Sequence, residues 1–298
     1  ATIEKVAVAA VMAGCLPDYM PVVLAAVKAV IDPVFDLTEM QATTHCTAPL
    51  IIVNGPARHN CGPISSSYGA LGPGHRANAS IGRALRLAMI NIGGGRPGTS
   101  DMALLGHPGK FTFCLAEDEE NSPFPPMHVD LGFDPDDSVV TVIGAEAPHS
   151  VLYSGDGDDP NGYKSLLDML AIGIANAATN NAILTGGTAT IVLNPEHAEV
   201  LNKAGLTRQD TAEEIHRRST MAETAINKLS PGFAGKRSGN RDAFKDPEQL
   251  LILMSGGSGL YSMVMPSWCA GPHKNSASCI KVESEFFCEV PGLANQVI

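Results

Sequence analysis

Four apolar runs set between helical patterns constrain this chain most. Leu50-Ile51-Ile52-Val53, Val139 to Ile143, Thr190-Ile191-Val192-Leu193 and Leu250-Leu251-Ile252-Leu253-Met254 carry almost no alternating polar residues. Runs of this kind are expected of strands buried on both faces rather than half-solvated ones. Amphipathic or apolar helical patterns fill the gaps, at 18–31, 77–92, 163–178 and after Thr207, which with Asp210 reads as a helix start. Strands interleaved with helices predict an α/β fold with one or more mainly parallel sheets and helices on both faces. The run Val6 to Met12 reads as one further strand, turning at Ala13-Gly14-Cys15 into a helix opened by Leu16-Pro17-Asp18. Phe111 to Ala116 alternates like a strand and runs into Glu117-Asp118-Glu119-Glu120.

Two local patterns recur. Ile51-Ile52-Val53-Asn54-Gly55-Pro56 and Ile191-Val192-Leu193-Asn194-Pro195 both read as strand, Asn–Pro turn, helix; Gly14-Cys15 and Gly256-Gly257-Ser258 both read as strand, glycine turn, helix. The recurrence predicts two pseudo-related halves, about 1–150 and 151–268, in one α/β body spanning 1–268. Functional loops would gather at the strand ends. The stretch 269–298, with Cys269, Cys279 and Cys288, reads as a strand-like extension that docks on the body or on a partner subunit.

The formal net charge is −11, from 31 acidic and 20 basic residues, which argues against nucleic acid and anionic membrane surfaces as partners. No apolar run approaches the roughly 20 residues of a membrane span, and the N-terminus has no basic segment followed by an apolar one. The seven cysteines are widely spaced and contain no Cys-x-x-Cys. Reduced thiols in a cytoplasmic protein are therefore expected, with neither a disulfide framework nor a zinc knuckle. The expected partner is a small-molecule substrate, in a homo-oligomer, with no cofactor.

Cys15 leads the candidate catalytic residues. A thiol at a helix start would meet unpaired backbone N–H groups and the positive end of the dipole, which favour thiolate. His128, Glu117 and His45 are the candidate proton carriers. Arg96 with the turn at Gly94 and Gly95 could hold an anion, as could Lys110, Asn54 and the turns at Gly186-Gly187 and Gly256-Gly257-Ser258. These groups predict a lyase, hydrolase or reductase acting on an anionic or carbonyl-containing small molecule. Two alternatives stay open: a metal-dependent enzyme using Cys114, Glu117 and His128, and a non-catalytic subunit or small-molecule binder.

Several phrases point to a family: Ala13-Gly14-Cys15-Leu16-Pro17-Asp18-Tyr19-Met20-Pro21, Arg76-Ala77-Asn78-Ala79-Ser80-Ile81-Gly82-Arg83-Ala84, Gly109 to Glu117, Asn194-Pro195-Glu196-His197-Ala198 and Ser255-Gly256-Gly257. Over about residues 5–268 the chain resembles bacterial UGSC-like (seleno)proteins. The resemblance implies thiol or selenol chemistry. The chain departs from that family's motif, because it contains no Cys-Gly-Ser-Cys and Cys15 is followed by Leu-Pro-Asp. Single-thiol chemistry, rather than a dithiol cycle, is what remains implied.

Overall fold

The computed structural model describes residues 1–72, 74–155, 159–233, 239–267 and 271–283. Its strands are β1 (Ala48–Asn54), β2 (Cys114–Ala116), β3 (Val139–Ala145), β4 (His149–Leu152), β5 (Ala189–Leu193), β6 (Thr220–Met221), β7 (Arg241–Asp242), β8 (Leu250–Met254), β9 (Tyr261–Pro266) and β10 (Ser278–Lys281). Helices in the first half are α1 (Ile3–Ala13), α2 (Met20–Ile31), α3 (Leu37–Ala42), α4 (Ala57–Asn60), α5 (Arg76–Asn91) and α6 (Met127–Asp130). Those in the second are α7 (Gly162–Ile174), α8 (Asn180–Leu184), α9 (Pro195–Lys203), α10 (Arg208–Arg218) and α11 (Glu223–Leu229).

Two four-stranded sheets carry the fold, in the orders β10-β3-β1-β2 and β4-β9-β5-β8. Side-chain period decides what each face covers. Ile51 and Val53 of β1 join Val6, Val22, Val23, Ile81 and Leu85 in a core under α1, α2 and α5. Ile191 and Leu193 of β5 join Leu166, Leu170, Leu201 and Ile215 under α7, α9 and α10. The intervening residues, Leu50 and Ile52 from one sheet and Val192, Leu251 and Leu253 from the other, form a third core between the sheets. The layers therefore run helices, sheet, sheet, helices.

This arrangement corrects the expected architecture twice. Among the described residues, only β1–β2 and β5–β8 pair parallel in these two sheets; β1–β3, β10–β3, β5–β9 and β4–β9 are antiparallel, so the sheets are mixed. Helices cover one face of each sheet, and the other face is covered by the second sheet. An apolar run reports burial on both faces and carries no information about which element does the burying.

A third correction concerns the N-terminal run, which is helix α1 rather than a strand. Thr2 caps it through Lys5 N–H, and Gly14 closes it in the left-handed conformation. Val6, Ala9 and Ala10 are buried while Val8, Val11 and Met12 face outward, the three- and four-residue spacing of a helix. Of the stretch Phe111 to Ala116 only Cys114–Ala116 pairs as strand.

The internal recurrence is half present. Asn54-Gly55-Pro56 leads from β1 into α4, and Asn194 with Pro195 leads from β5 into α9. Each central strand has one parallel and one antiparallel neighbour. Beyond each parallel neighbour the ladder gains one more bond, Glu117 N–H to the Val53 carbonyl at 3.2 Å and Ser255 N–H to the Leu193 carbonyl at 3.0 Å. Asn54 thus corresponds to Asn194, and Glu117 to Ser255. The second recurrence fails, because Gly14 ends a helix whereas Gly256 connects β8 to β9.

The carboxyl ends of both parallel pairs lie together, joined by Asp118 N–H to the Met254 carbonyl at 2.8 Å. Ser278–Lys281 of the predicted extension is β10, at the edge of the first sheet against β3. Cys269 and Cys288 lie outside the described residues. Among the described residues no helix is long and apolar enough to cross a membrane.

Candidate active site

Asn54 and Glu117 end neighbouring parallel strands on the face shared with Ile52 and Leu115, so both project toward the inter-sheet side. Each is fully buried. Asn54 donates through Nδ2 to Glu117 Oε2, and to Glu119 Oε1 at 2.9 Å. Glu117 accepts two further bonds, from Met127 N–H at 2.7 Å and from Arg208 Nη2 at 2.9 Å. Arg208 also donates to Asp130 and to the Pro125 carbonyl. On the other flank Arg58 donates to the Glu117 carbonyl at 3.1 Å, to Glu119 at 2.9 Å and to both oxygens of Glu120.

Gly55 makes the turn after β1 possible. Its φ is 75° and a Cβ there would lie 2.0 Å from the Asp137 carbonyl oxygen. Freed of a side chain, the backbone approaches closely enough for Gly55 N–H to donate to Glu119 Oε1 at 2.7 Å.

Burial pushes the Glu117 carboxyl up to about 7, against the opposing pull of Arg208, Met127 N–H and Asn54; the nearby Glu119 adds to the rise. Glu120, bound by Arg58 at the solvent side, is held down to about 2. Two carboxyls three residues apart are thus separated in protonation by their surroundings, the arrangement that allows one to carry a proton near neutrality. His128, on α6, is entirely buried, 3.8 Å through Nδ1 from Glu119 Oε1, and neither ring nitrogen has a hydrogen-bond partner among the described residues. Burying such donors and acceptors unpaired costs on the order of 1–3 kcal/mol each.

Arg208 connects this cluster to a cavity of about 400 Å³. Leu250, Leu251 and Ile252 of β8 line it together with Met127, Thr207 and Asp130, the last of these paired with the guanidinium. Arg208 is 8 % exposed, and its Nε–H has no acceptor among the described residues.

The structure brings together Asn54, Glu117 and His128 from the sequence-predicted set and separates the rest. Cys15 lies on the helix side of the first sheet, packed against the core beneath α1 and α2. Its amide N–H is spent on the Ala10 carbonyl at 2.9 Å, so it follows the carboxyl end of α1 instead of heading a long helix. Burial raises the thiol, with Ser80 and Arg76 opposing more weakly. The expected thiolate is corrected accordingly: the protonated form is favoured. Alkylation by iodoacetamide at pH 7, followed residue by residue by mass spectrometry, is expected to be slower at Cys15 than at a free model thiol. Faster labelling would restore the anionic reading.

His45 pairs with Glu146 at 2.9 Å and Asn180 at 2.7 Å, remote in contacts from the cluster. Lys110 is bound at 2.8 Å to Asp101, which Arg86 also holds. Arg96 and Gly94 are exposed, and Gly95 is buried with its N–H on the Met89 carbonyl. Gly186 borders a separate surface cavity with Arg241 and Lys245. Gly256 and Gly257 line a cleft at the carboxyl end of β8, and Ser258 beside them is exposed. Cys114 belongs to the helix-side core, away from the inter-sheet side on which Glu117 projects. Among the described residues no three His, Cys, Asp or Glu side chains are grouped to hold a metal ion.

Sequence reasoning missed Arg58 and Arg208. Arg208 carried a signal: it is the first residue of α10, where a cation opposes the helix dipole. Such a misplacement needs an acid elsewhere in the fold, and Glu117 with Asp130 supply it. Compared with protein-family models, with curated proteins and with solved structures, the chain matches none.

Proposed function

We propose that this protein is a small-molecule enzyme, of the lyase or hydrolase kind, that transfers protons through Glu117 to a carbonyl-bearing substrate held at Arg208. One observation carries the reading: an enclosed carboxyl that titrates near neutrality is hydrogen-bonded to the arginine forming a cavity wall. Asp130 already balances the guanidinium charge, so a neutral carbonyl oxygen suits this wall of the cavity better than a second carboxylate. A substrate oxygen drawing on Arg208 weakens its hold on Glu117, which favours the protonated carboxyl and readies it as a general acid. Glu119, Asn54 and Arg58 fix the position of Glu117 rather than reacting.

Thermal-shift titration with acetone, acetamide and ethyl acetate tests binding, and a pH series tests proton coupling. Wild-type protein is expected to be stabilised by at least one of these carbonyl compounds, more below pH 7 than above it. Arg208→Gln is expected to abolish the shift. Equal stabilisation of wild type and Arg208→Gln, or none with any carbonyl probe, would defeat the assignment and favour a non-catalytic role.

A further inference from the structure

The internal correspondence places Ser255 and Asn194, at the carboxyl end of the second sheet, where Glu117 and Asn54 stand in the first. A cleft of about 380 Å³ opens there, within the lower range of small-molecule sites. It shares no lining residue with the Arg208 cavity. Leu115, Val192 and Met263 line its apolar part, and glycines 69, 72, 256 and 257 its rims.

Both rims are braced by buried asparagines. Asn78 accepts from Ser65 N–H at 2.8 Å and donates to the Ser65 and Ala70 carbonyls at 2.9 Å. Asn194 caps α9 through His197 N–H at 2.7 Å and donates to the Gly259 and Tyr261 carbonyls at 2.8 Å. Ser255 Oγ and Gly256 N–H both donate to the Ser66 carbonyl, at 3.0 and 2.8 Å, tying one rim to the other. The opening is thus held in shape without a ligand, which lowers the ordering cost of binding. At its edge the Tyr68 ring covers Gly257, where a Cβ would lie 2.0 Å from the ring, yet Tyr68 is 69 % exposed.

Among the described residues no ionised side chain lines this cleft, so a charged ligand would lose water without gaining a counter-charge. Ser255 Oγ uses its proton on Ser66, leaving lone pairs that can only accept. Glycine rims and an adjacent aromatic ring suit a flat body. We propose that the cleft binds an uncharged planar heteroaromatic molecule that donates an N–H to Ser255 and lies against Leu115, Val192 and Met263. The site is independent of proton transfer at Glu117.

The test is ¹³C-methyl methionine NMR on the full chain, titrated to millimolar concentration with indole, benzofuran and indole-3-carboxylate. Met263 reports this cleft and Met127 the other cavity. Indole is expected to shift Met263 saturably while Met127 stays put, with benzofuran weaker for want of the N–H and indole-3-carboxylate weaker for its charge. Gly72→Leu should fill the cleft, since a Cβ there meets only the Gly69 carbonyl at 3.8 Å, and should abolish the Met263 shift. Tyr261→Ala, at an exposed position that lines the cleft, should weaken indole roughly two- to tenfold, the value of one aromatic contact. The proposal is overturned by an unmoved Met263, by tighter binding of the carboxylate, or by unchanged indole affinity in both variants.

Discussion

Replacing Arg208 with Met is expected to destabilise the protein by about 3–5 kcal/mol at pH 8, the usual cost of stranding a buried charge. The Arg208 guanidinium donates to Glu117, Asp130 and the Pro125 carbonyl, and stacks 5.8 Å from the Phe124 ring centre. Methionine restores part of the volume and none of the donors. At pH 5 the loss should shrink to about 1–2 kcal/mol, because Glu117 is then neutral and what is missing is hydrogen bonds and the half-exposed pair with Asp130. At pH 8 the folded variant should take up a proton at Glu117, limiting the penalty. Combining Arg208→Met with Glu117→Leu removes both charges and should recover more than half of the single-variant loss. Urea denaturation of the three proteins at both pH values measures each quantity. A cost independent of pH, or larger at pH 5, would mean that Glu117 and Arg208 are not coupled as described.

Glu117→Gln isolates the titration itself. Burial raises the folded-state pKa from 4.5 to about 7, so between those values the folded protein binds more protons than the unfolded chain. Stability contributed by this group is therefore fully present below pH 4.5 and falls as pH rises to about 7, by about 3 kcal/mol in all. Gln cannot titrate, so the wild-type-minus-variant difference should change by that amount across the window and stay flat above it. Taking the difference removes His107 and His197, whose depressed pKa values act oppositely below pH 6.5. Glu120, held near 2, acts at lower pH still. The variant carries its own constant cost, because an amide NH₂ must face either Arg208 or the donors Asn54 and Met127 N–H. Parallel stability curves for the two proteins from pH 4.5 to 8 would show that Glu117 is ionised throughout.

Much of the candidate site was legible one residue at a time. Asn54 stood at a strand end before Gly-Pro, and Glu117 and His128 flanked a short strand and a proline-rich loop. Arg58 was hidden in the turn of Asn54-Gly55-Pro56-Ala57-Arg58, and Arg208 lies 91 residues from Glu117. Nothing in local spacing could announce that pairing. Cys15 shows the opposite case, an isolated signal that depended on reading Val6 to Met12 as a strand. Seven apolar residues suit a strand or one face of a helix equally, and the Ala-rich flanks with a capping Thr2 tipped the balance to helix.

The sequence by itself determined burial and punctuation: which segments are apolar on every side, where Asn-Gly-Pro and Asn-Pro stop them, and where Thr207 begins a helix. These follow from solvation and backbone sterics over a few residues. Only the tertiary structure decided that a second sheet, rather than helices, covers β1 and β5, that most strand pairs are antiparallel, and that Arg208 meets Glu117. Those outcomes depend on contacts between distant segments, where the partner of a buried face or charge is chosen by the packing of the whole chain.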